Sequence, residues 1–356
     1  MRVFQVLNAL VYGDGVGNDV IGKHHLLEKM GYKSEIYCKW IDEKCSQYFN
    51  DISNLKVQPS DIILHHYTGF SYVANEVLES KCTKVLVYHN ITPPEFFDKS
   101  SRDYEECKKG LVQIKEIAKN YDFLVCDSDF NLESLKRLGV QRDADILPIL
   151  IDFGSIESYK TSQAADISGM VNFLFVGRIA PNKKQENVIA VFDYYFNYID
   201  ANSRLIFVGN YQQESKYYQS LFRLYNRLSC RNNVVFAGRM DNDGLYNHYA
   251  NADIFLCMSE HEGFCIPLIE SMYFGVPTLA YDSCAVGSTM GDAGVLLKGK
   301  NPEAIAKLCH TILTRREIRD CIIKKQDKRA ESFSEKSITE QLRLLLNKWS
   351  AGGQNG

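Results

Sequence analysis

The sequence predicts an α/β protein built from two doubly wound domains. Short apolar runs of four or five residues alternate with helical patterns along the chain, and a polar stretch divides this series near its middle. The length of 356 residues suits two domains of ordinary size. Apolar residues make up 45% of the chain and charged residues 24%, which excludes a disordered or fibrous protein.

The first alternating series begins at the N-terminus. Residues 3–7 predict a strand that runs into the glycine-rich loop 13–18, and a helix is expected from there to Lys29. Strand and helix alternation of this kind indicates a parallel sheet with crossover helices. Further strands are predicted at 34–37, 61–64, 84–88 and 123–126.

A polar stretch over 155–169, rich in Ser and Thr, predicts a linker between the two series. A helical pattern over 338–349 closes the chain. We therefore expect an N-terminal domain over 1–157, a C-terminal domain over 170–334 and a last helix over about 335–350. The strands of the second series are predicted at 172–176, 204–208, 233–236, 253–257 and 278–281.

Charge and cysteine usage exclude several classes of protein. The net charge of −3 argues against nucleic acid as the main partner, since that partner requires a basic surplus. Eleven cysteines without C-x-x-C spacing predict buried free thiols in a reducing compartment. No apolar run approaches the roughly 18 residues of a membrane span. The start of the chain predicts a strand rather than a signal peptide.

The first motif that bears on chemistry is the loop with Gly13, Gly15 and Gly17. Glycines here let the backbone approach a ligand, and the helix that follows favours anions. With Glu35 as a ribose ligand, the loop could belong to a dinucleotide site. The third glycine is misplaced for G-x-G-x-x-G, however, and a tight turn that requires glycine is equally compatible.

The second motif is Gly177-Arg-Ile-Ala-Pro-Asn-Lys183-Lys184, where a predicted strand ends. Arg178 and Lys183 leave the same turn. Two cations at the carboxyl edge of a parallel sheet can clamp a diphosphate. The alternative interpretation is a solvated basic loop.

The third motif, over 259–270, joins a predicted strand to a predicted helix. Gly263 permits a loop whose amides point inward, and Pro267 suits the first helical turn. Such a loop and helix terminus can bind phosphate, while Glu262 and Glu270 can accept hydrogen bonds from sugar hydroxyls. A purely structural interpretation explains these two acids around an apolar turn poorly.

The string EGFCIPLIESMYFGVPTLA resembles the E-x7-E region of family 4 of the retaining glycosyltransferases, which have the GT-B fold, and GRIAPNKK resembles that family's diphosphate-binding Arg and Lys. The likeness extends over nearly the whole chain, with HHYTG (65–69) and YHN (88–90) in the place of N-terminal active-site loops. It implies two Rossmann-like domains facing each other across a cleft, with the C-terminal helix crossing back to the N-terminal domain. The donor would bind the C-terminal domain and the acceptor the N-terminal one.

The resemblance also assigns roles to residues. Catalytic roles fall on Arg178 and Lys183 at the donor diphosphate, on Glu262 at the donor-sugar hydroxyls and on His89, which faces the transferred sugar. Glu270 would hold the ribose. The acceptor would meet His66, His89 and Asn90. The remaining donor-binding residues would be Gly15, Gly177, Gly209, Arg239, Met240, Gly263, Phe264, Cys265 and Ile266.

Three residues depart from the family pattern. Cys265 stands where a second glycine is usual, Lys184 where a glycine often follows the Lys, and Ser288 where a Glu is frequent. Asp127-Ser128-Asp129 matches the D-x-D metal signature of the other glycosyltransferase fold, but its place before a helix favours capping. We therefore expect no required metal and no cofactor beyond the nucleotide sugar.

The resemblance implies a retaining transferase that moves a hexose from GDP-mannose or a UDP-hexose to a hydroxyl of a glycan or lipid-linked saccharide, forming an α-glycosidic bond. It implies a cytoplasmic enzyme and allows a peripheral contact with the inner face of the membrane, without predicting an oligomeric state. The alternatives are a sugar-nucleotide epimerase of GT-B-like fold, a noncatalytic partner subunit and, on the glycine loop alone, a nicotinamide dehydrogenase.

Overall fold

The computed structural model describes residues 1–161 and 169–352, which fall into two compact units. The first unit comprises Met1–Asp152 and Phe333–Gly356, and the second comprises Phe153–Ser332. The chain thus passes between the units at 152 rather than at 157, and returns at 332 rather than at 334. Each unit is a parallel sheet with crossover helices, so the predicted fold class of two Rossmann-like α/β domains is confirmed.

The sheet of the first unit has the order β3-β2-β1-β4-β5-β6-β7. Val6 of β1 pairs with Tyr37 of β2 on one side and with His65 of β4 on the other. The strand order reverses between β1 and β4, and in such sheets ligands bind where the order reverses. The elements are β1 (Arg2–Leu10), α1 (Gly15–Lys29), β2 (Lys33–Ile41), β3 (Asn50–Asp51), β4 (Ile62–Tyr67), α2 (Ala74–Glu79), β5 (Thr83–Tyr88), α3 (Arg102–Ile117), β6 (Phe123–Cys126), α4 (Asp129–Arg137) and β7 (Asp145–Ile146).

The start of α1 differs from the predicted loop. The helix begins at Gly15, so Gly15 and Gly17 lie in its first turn rather than in a loop. Gly17 is required by close packing, since a Cβ there would lie 2.6 Å from the carbonyl oxygen of Val11. The glycine spacing therefore reflects a helix that begins tightly against the end of β1.

The second unit repeats the arrangement, with the sheet order β10-β9-β8-β11-β12-β13. Its core is formed by fully buried side chains such as Phe173, Phe192 and Leu256. The order reverses between β8 and β11. The elements are α5 (Phe153–Thr161), β8 (Val171–Val176), α6 (Gln185–Tyr198), β9 (Ser203–Val208), α7 (Lys216–Tyr225), β10 (Val234–Gly238), α8 (Asn242–Ala250), β11 (Ile254–Cys257), α9 (Ile266–Tyr273), β12 (Thr278–Tyr281), α10 (Val286–Met290), β13 (Val295–Leu297), α11 (Pro302–Thr314) and α12 (Arg316–Glu331).

Helix α5 corrects the predicted linker. The ring of Phe153 stacks on Tyr273 with centroids 4.1 Å apart, and Tyr159 packs on Tyr246 at 5.3 Å. These aromatic contacts attach a polar, weakly periodic segment to the second unit. Residues 162–168 of the predicted linker lie outside the described residues.

The last helix, α13 (Glu335–Gly352), packs on the first unit. It buries one apolar stripe, and two ion pairs of 2.8 Å, Lys29–Glu335 and Lys348–Asp145, flank the contact. The expected return of this helix to the N-terminal domain is confirmed. The stripe consists of Ile338, Leu342, Leu346 and Trp349, which share a core with Val3, Leu27, Leu64 and Leu150.

Across the described ranges, none of the helices combines the length and the apolar character that crossing a membrane requires.

Candidate active site

Two loops meet where the strand order of the second unit reverses. The loop after β8 contains Lys183, and the loop after β11 contains Glu262. Asn182 joins the two loops. Its side-chain Nδ2 donates to the main-chain carbonyl of His261 at 3.1 Å, and its main-chain carbonyl accepts from the amide of Glu260 at 2.8 Å. The sequence pattern did not single out Asn182, although it lies next to a predicted site residue.

Lys183 and Glu262 form an ion pair at the centre of this edge. Lys183 Nζ lies 2.6 Å from Glu262 Oε2, with the carboxylate side chain 8% exposed and the lysine 22%. Burial opposes the charge of Lys183, but Glu262 together with the neighbouring Cys265 and Cys257 raises the lysine pKa above its ordinary value. The site therefore holds a charged ammonium group opposite a buried carboxylate.

Glycines fix the strand ends below this pair. Gly209 has a φ of +149°, and a Cβ there would lie 2.2 Å from the carbonyl oxygen of Gly177. Gly177 donates to Val208 and Gly209 donates to Gly238, each at 2.9 Å, so three adjacent strand ends are tied together. Gly209 is thus required by close backbone packing, and Gly177 by its φ of +150°, which side chains rarely adopt.

Arg178 follows Gly177 directly, and its side chain is exposed. Its carbonyl accepts from Gln185 Nε2 at 3.0 Å, which ties the loop to the first residue of α6. The structure therefore places both predicted cations on the segment between β8 and α6.

The β11 loop ends in a helix N-terminus that suits an anion. Cys265 is the N-cap of α9, adopts a left-handed φ of +73°, and makes no side-chain capping bond within the described structure. Ile266 begins the helix. A hydrogen bond from α10 anchors the loop, since Thr289 Oγ1 donates to the main-chain carbonyl of Phe264 at 2.6 Å. A positive helix end without a capping side chain favours a phosphate or other anion.

Glu270 lies on α9, buried and beside Tyr249. The Tyr249 hydroxyl donates to Glu270 Oε2 at 2.8 Å. Burial raises the pKa of Glu270 to about 7, although the hydrogen bond from Tyr249 acts in the opposite direction. The carboxyl group therefore titrates near neutral pH, and Tyr249 is a partner that the sequence pattern missed.

The remaining predicted donor residues border this edge. Arg239 and Met240 follow β10, with the Arg239 side chain exposed and Met240 half-buried. Gly263 lies in the β11 loop between Glu262 and Phe264.

Two departures from the family pattern have local structural explanations. Lys184 takes a left-handed φ of +53° and pairs with Glu260 at 3.3 Å. Ser288 is exposed on α10, and its hydroxyl donates to the carbonyl of Ala285 at 2.9 Å. These two interactions do not involve the Lys183–Glu262 pair.

The first unit has its own cavity of about 300 Å³ at the reversal between β1 and β4. Asp14 lies in it and caps α1 by accepting from the amide of Gly17 at 3.3 Å. Gly15, expected to face the donor phosphate, thus neighbours a carboxylate that already occupies the positive end of α1. The lining residues are Leu7, Asn8, Ala9, Val11, Asp14, Val16, His66 and Thr68.

Behind this cavity, a buried chain of hydrogen bonds links four side chains. His66 Nε2 lies 3.2 Å from Gln5 Oε1, and His66 Nδ1 lies 2.8 Å from His89 Nε2. His89 Nδ1 lies 2.8 Å from Asp127 Oδ2. The two imidazole rings stack with centroids 5.1 Å apart.

The donors and acceptors along this chain fix the hydrogens. Gln5 Nε2 donates to the carbonyl of Val20 at 2.7 Å, so Gln5 presents its oxygen to His66 and must receive a hydrogen from it. Burial, followed by the charge of His89, lowers the pKa of His66 well below its ordinary value. A neutral His66 then accepts at Nδ1 from His89, and a further hydrogen lies between His89 and Asp127.

Both ring nitrogens of His89 are therefore engaged inside the protein. A direct contact of His89 with a sugar, as the resemblance implied, would require this chain of hydrogen bonds to open. His66 borders the cavity, whereas His65 lies on the opposite face of the sheet against Tyr121 and Ser71. Asn90 has a left-handed φ of +75° and donates to Asn131 Oδ1 at 2.8 Å.

The D-x-D motif divides into three different roles. Ser128 caps α4 by accepting from the amide of Asn131 at 3.2 Å, which agrees with the expected capping. Asp129 is exposed in the first turn of α4. Asp127, in contrast, is buried and binds His89, so the capping interpretation was wrong for this residue.

Comparison with known proteins finds similarity to glycosyltransferases. Residues 164–329 match the family model of the glycosyl transferases group 1. An uncharacterized 41.2 kDa protein in the cps region of Klebsiella pneumoniae is 22% identical over 332 residues, covering 85% of this chain and 87% of that protein. O-antigen chain mannosyltransferase B of Escherichia coli is 24% identical over 232 residues, covering 62% of this chain and 59% of that protein.

Among solved structures, Anabaena Alr3699/HepE in complex with UDP and glucose superposes with a TM-score of 0.77 at 17% identity. The superposition covers 98% of this chain and all of that one (100%), so the two chains share a fold.

Proposed function

We propose that this chain, whose residues 164–329 match the glycosyl transferases group 1, transfers a hexose from a nucleotide-diphosphate sugar to a hydroxyl of a saccharide or lipid-linked saccharide, with retention of configuration. The observation that carries the proposal is the Lys183–Glu262 pair where the strand order of the second unit reverses. It offers a cation for a diphosphate and a carboxylate for sugar hydroxyls within one contact.

The donor is proposed to bind the second unit. Its diphosphate would lie against Lys183, Arg178 and the N-terminus of α9, where charge and helix dipole both favour an anion. Glu262, freed from Lys183 by the incoming phosphate, would accept from donor-sugar hydroxyls. Glu270 would accept from the ribose. UDP and glucose in the complex named above, together with a relative named as a mannosyltransferase, support a hexose as the transferred sugar.

The acceptor is proposed to bind the first unit. Its cavity beside Asp14 and His66 offers hydrogen-bond partners to a polyhydroxylated ligand. Behind it, the chain from Gln5 to Asp127 holds the rings of His66 and His89 in fixed orientations. His89 and Asp127 are thus positioning residues for the wall that faces the acceptor.

The reaction is proposed to follow a front-face course. The bond from the sugar C1 to the diphosphate oxygen breaks, and the acceptor oxygen bonds to C1 on the same face, so the α configuration is kept. Negative charge grows on the leaving diphosphate, where Lys183 and Arg178 stabilise it. The acceptor proton passes to the departing diphosphate.

The proposed reaction requires no metal and no cofactor besides the nucleotide sugar. The cations of Arg178 and Lys183 are proposed to take the place that a divalent ion occupies in D-x-D enzymes. Eleven free thiols suit a reducing compartment, so we place the enzyme in the cytoplasm. A peripheral contact with the inner face of the membrane would follow if the acceptor is lipid-linked.

Thermal unfolding tests the nucleotide assignment. A ligand that binds only the folded protein raises the unfolding temperature with its concentration. We expect UDP or GDP to stabilise the wild type, NAD to have no effect, and Lys183→Ala to lose most of the stabilisation. Stabilisation by NAD alone would point to the dehydrogenase alternative.

A further inference from the structure

A group of two thiols and a carboxylate lies within the proposed donor-sugar site. Cys257 ends β11, Cys265 caps α9, and one ligand atom from each, with one Glu262 carboxylate oxygen, all lie within 4.8 Å of one another. Cys257 is 2% exposed, Glu262 7% and Cys265 9%. We propose that Cys257, Cys265 and Glu262 form a binding site for a thiophilic divalent metal ion such as Zn²⁺ or Cd²⁺, and that the bound ion inhibits donor binding.

The distances between the three ligand atoms suit such an ion after small movements of their side chains toward one another. Zinc binds thiolate sulfur at about 2.3 Å and carboxylate oxygen at about 2.1 Å in tetrahedral geometry, which places its ligand atoms about 3.8 Å apart or slightly less. The spacing of at most 4.8 Å needs side-chain movements of about 1 Å to reach that geometry. Two cysteines and a glutamate leave a fourth position for water.

The two thiols lie beside each other in the buried cluster. The sulfur atoms of Cys257 and Cys265 belong to the same cluster of ligand atoms, all within 4.8 Å of one another. Cys257 sulfur also lies 3.3 Å from Ser259 Oγ, which can donate to a thiolate. Soft divalent ions such as Zn²⁺ and Cd²⁺ prefer sulfur ligands, and here two sulfur atoms lie beside one carboxylate.

Cys265 carries a side chain at a backbone position that favours glycine. Its φ of +73° is a conformation that glycine adopts without strain and a side chain rarely adopts. The Cys265 sulfur is the atom that turns a single buried thiol at Cys257 into a pair. Exchange for glycine would thus remove the ligand and relieve the backbone at the same time.

The inhibitory effect rests on the proposed function. A metal ion bound by Glu262 would compete with the ammonium group of Lys183, 2.6 Å from the same carboxylate, and with the sugar hydroxyls that Glu262 is proposed to hold. Added Zn²⁺ should therefore raise the donor KM.

Cadmium titration tests the site directly. The reduced, metal-free full chain is titrated with Cd²⁺ while the ultraviolet cadmium–thiolate absorption is followed, for the wild type, Cys257→Ser, Cys265→Gly and the control Cys321→Ser, whose thiol is exposed on α12. We expect one Cd²⁺ per chain in the wild type and the control, and at least about tenfold weaker binding in the other two variants, since each loses one of three ligands.

A further variant excludes an effect of misfolding. Lys183→Met removes the competing cation and should bind Cd²⁺ more tightly than the wild type, which a damaged site would not do. Equal affinity in all four proteins of the titration, or no thiolate absorption in the wild type, would overturn the metal site. Cadmium binding without any nucleotide binding would retain the site and refute the proposed function instead.

Discussion

Replacing Glu270 by Gln should make the stability of the protein less sensitive to pH. Glu270 is 9% exposed, accepts one hydrogen bond from Tyr249, and has a pKa raised by burial to about 7. Its ordinary value is 4.5. The folded protein therefore binds a proton at Glu270 at pH values where the unfolded chain has already released it.

The sign and the size of the pH effect on stability follow from this difference between the folded and unfolded pKa values. A carboxyl group whose folded pKa is raised contributes stability that is complete below the unfolded pKa and is lost as pH rises through the folded pKa. The pKa rises from 4.5 to about 7, and at about 1.4 kcal/mol per pKa unit the loss of stability is roughly 3 to 4 kcal/mol. Gln does not ionise, so Glu270→Gln should gain about this much relative to the wild type as the pH rises from about 4.5 to about 7.

Urea unfolding of both proteins at a series of pH values measures this gain. Glu317→Gln is the matched control, because Glu317 is exposed on α12. The difference in free energy of unfolding between Glu270→Gln and the wild type should rise from about pH 4.5 to about pH 7 and level off above, whereas the control difference stays flat. Parallel curves for all three proteins would refute the inference that burial raises the pKa of Glu270.

Three further predictions follow from the site. Activity should persist in excess chelator, and loss that Mn²⁺ or Mg²⁺ restores would contradict the metal-independent mechanism. Glu270→Ala should mainly weaken nucleoside diphosphate binding, and Glu262→Ala should mainly lower kcat, each by about ten- to hundredfold for a lost charged hydrogen bond. Titration calorimetry measures the binding, and steady-state kinetics measure kcat. The reverse pattern would contradict the proposed position of the donor. Gly209→Ala should destabilise the protein by about 3 kcal/mol or more, since its Cβ would overlap the Gly177 carbonyl. The control Gly299→Ala should leave the stability unchanged, because there is open space around Gly299. Equal unfolding midpoints for the two variants would contradict this prediction.

The sequence predicts most of the sheet strands because buried parallel strands are short continuous apolar runs. The strands at 123–126 and 278–281 have the predicted bounds. The two-residue strands β3 and β7 were missed, since two residues carry no periodicity. Helix α5 was missed because aromatic contacts with α8 and α9, rather than its own pattern, hold it in place.

The site could be predicted where its residues follow strand ends in a recognisable order. Lys183 and Glu262 lie far apart in the sequence yet meet because β8 and β11 are neighbours. Asp127 could not be placed, since an aspartate before a serine and a helix has the composition of a capping segment. Its contact with His89 depends on β5 and β6 lying side by side, which the residue pattern alone does not give.

The most direct measurement is nucleoside diphosphate release from a panel of UDP- and GDP-hexoses, without added metal, by the wild type, Arg178→Ala and Lys183→Ala. We predict release from at least one donor by the wild type, and a loss of more than about tenfold in each variant, since each removes a charged hydrogen bond to the leaving group. Thermal unfolding of the variants serves as the folding control. No release from any donor by the wild type, or rates within about twofold of wild type for both variants, would contradict a donor diphosphate held by Arg178 and Lys183.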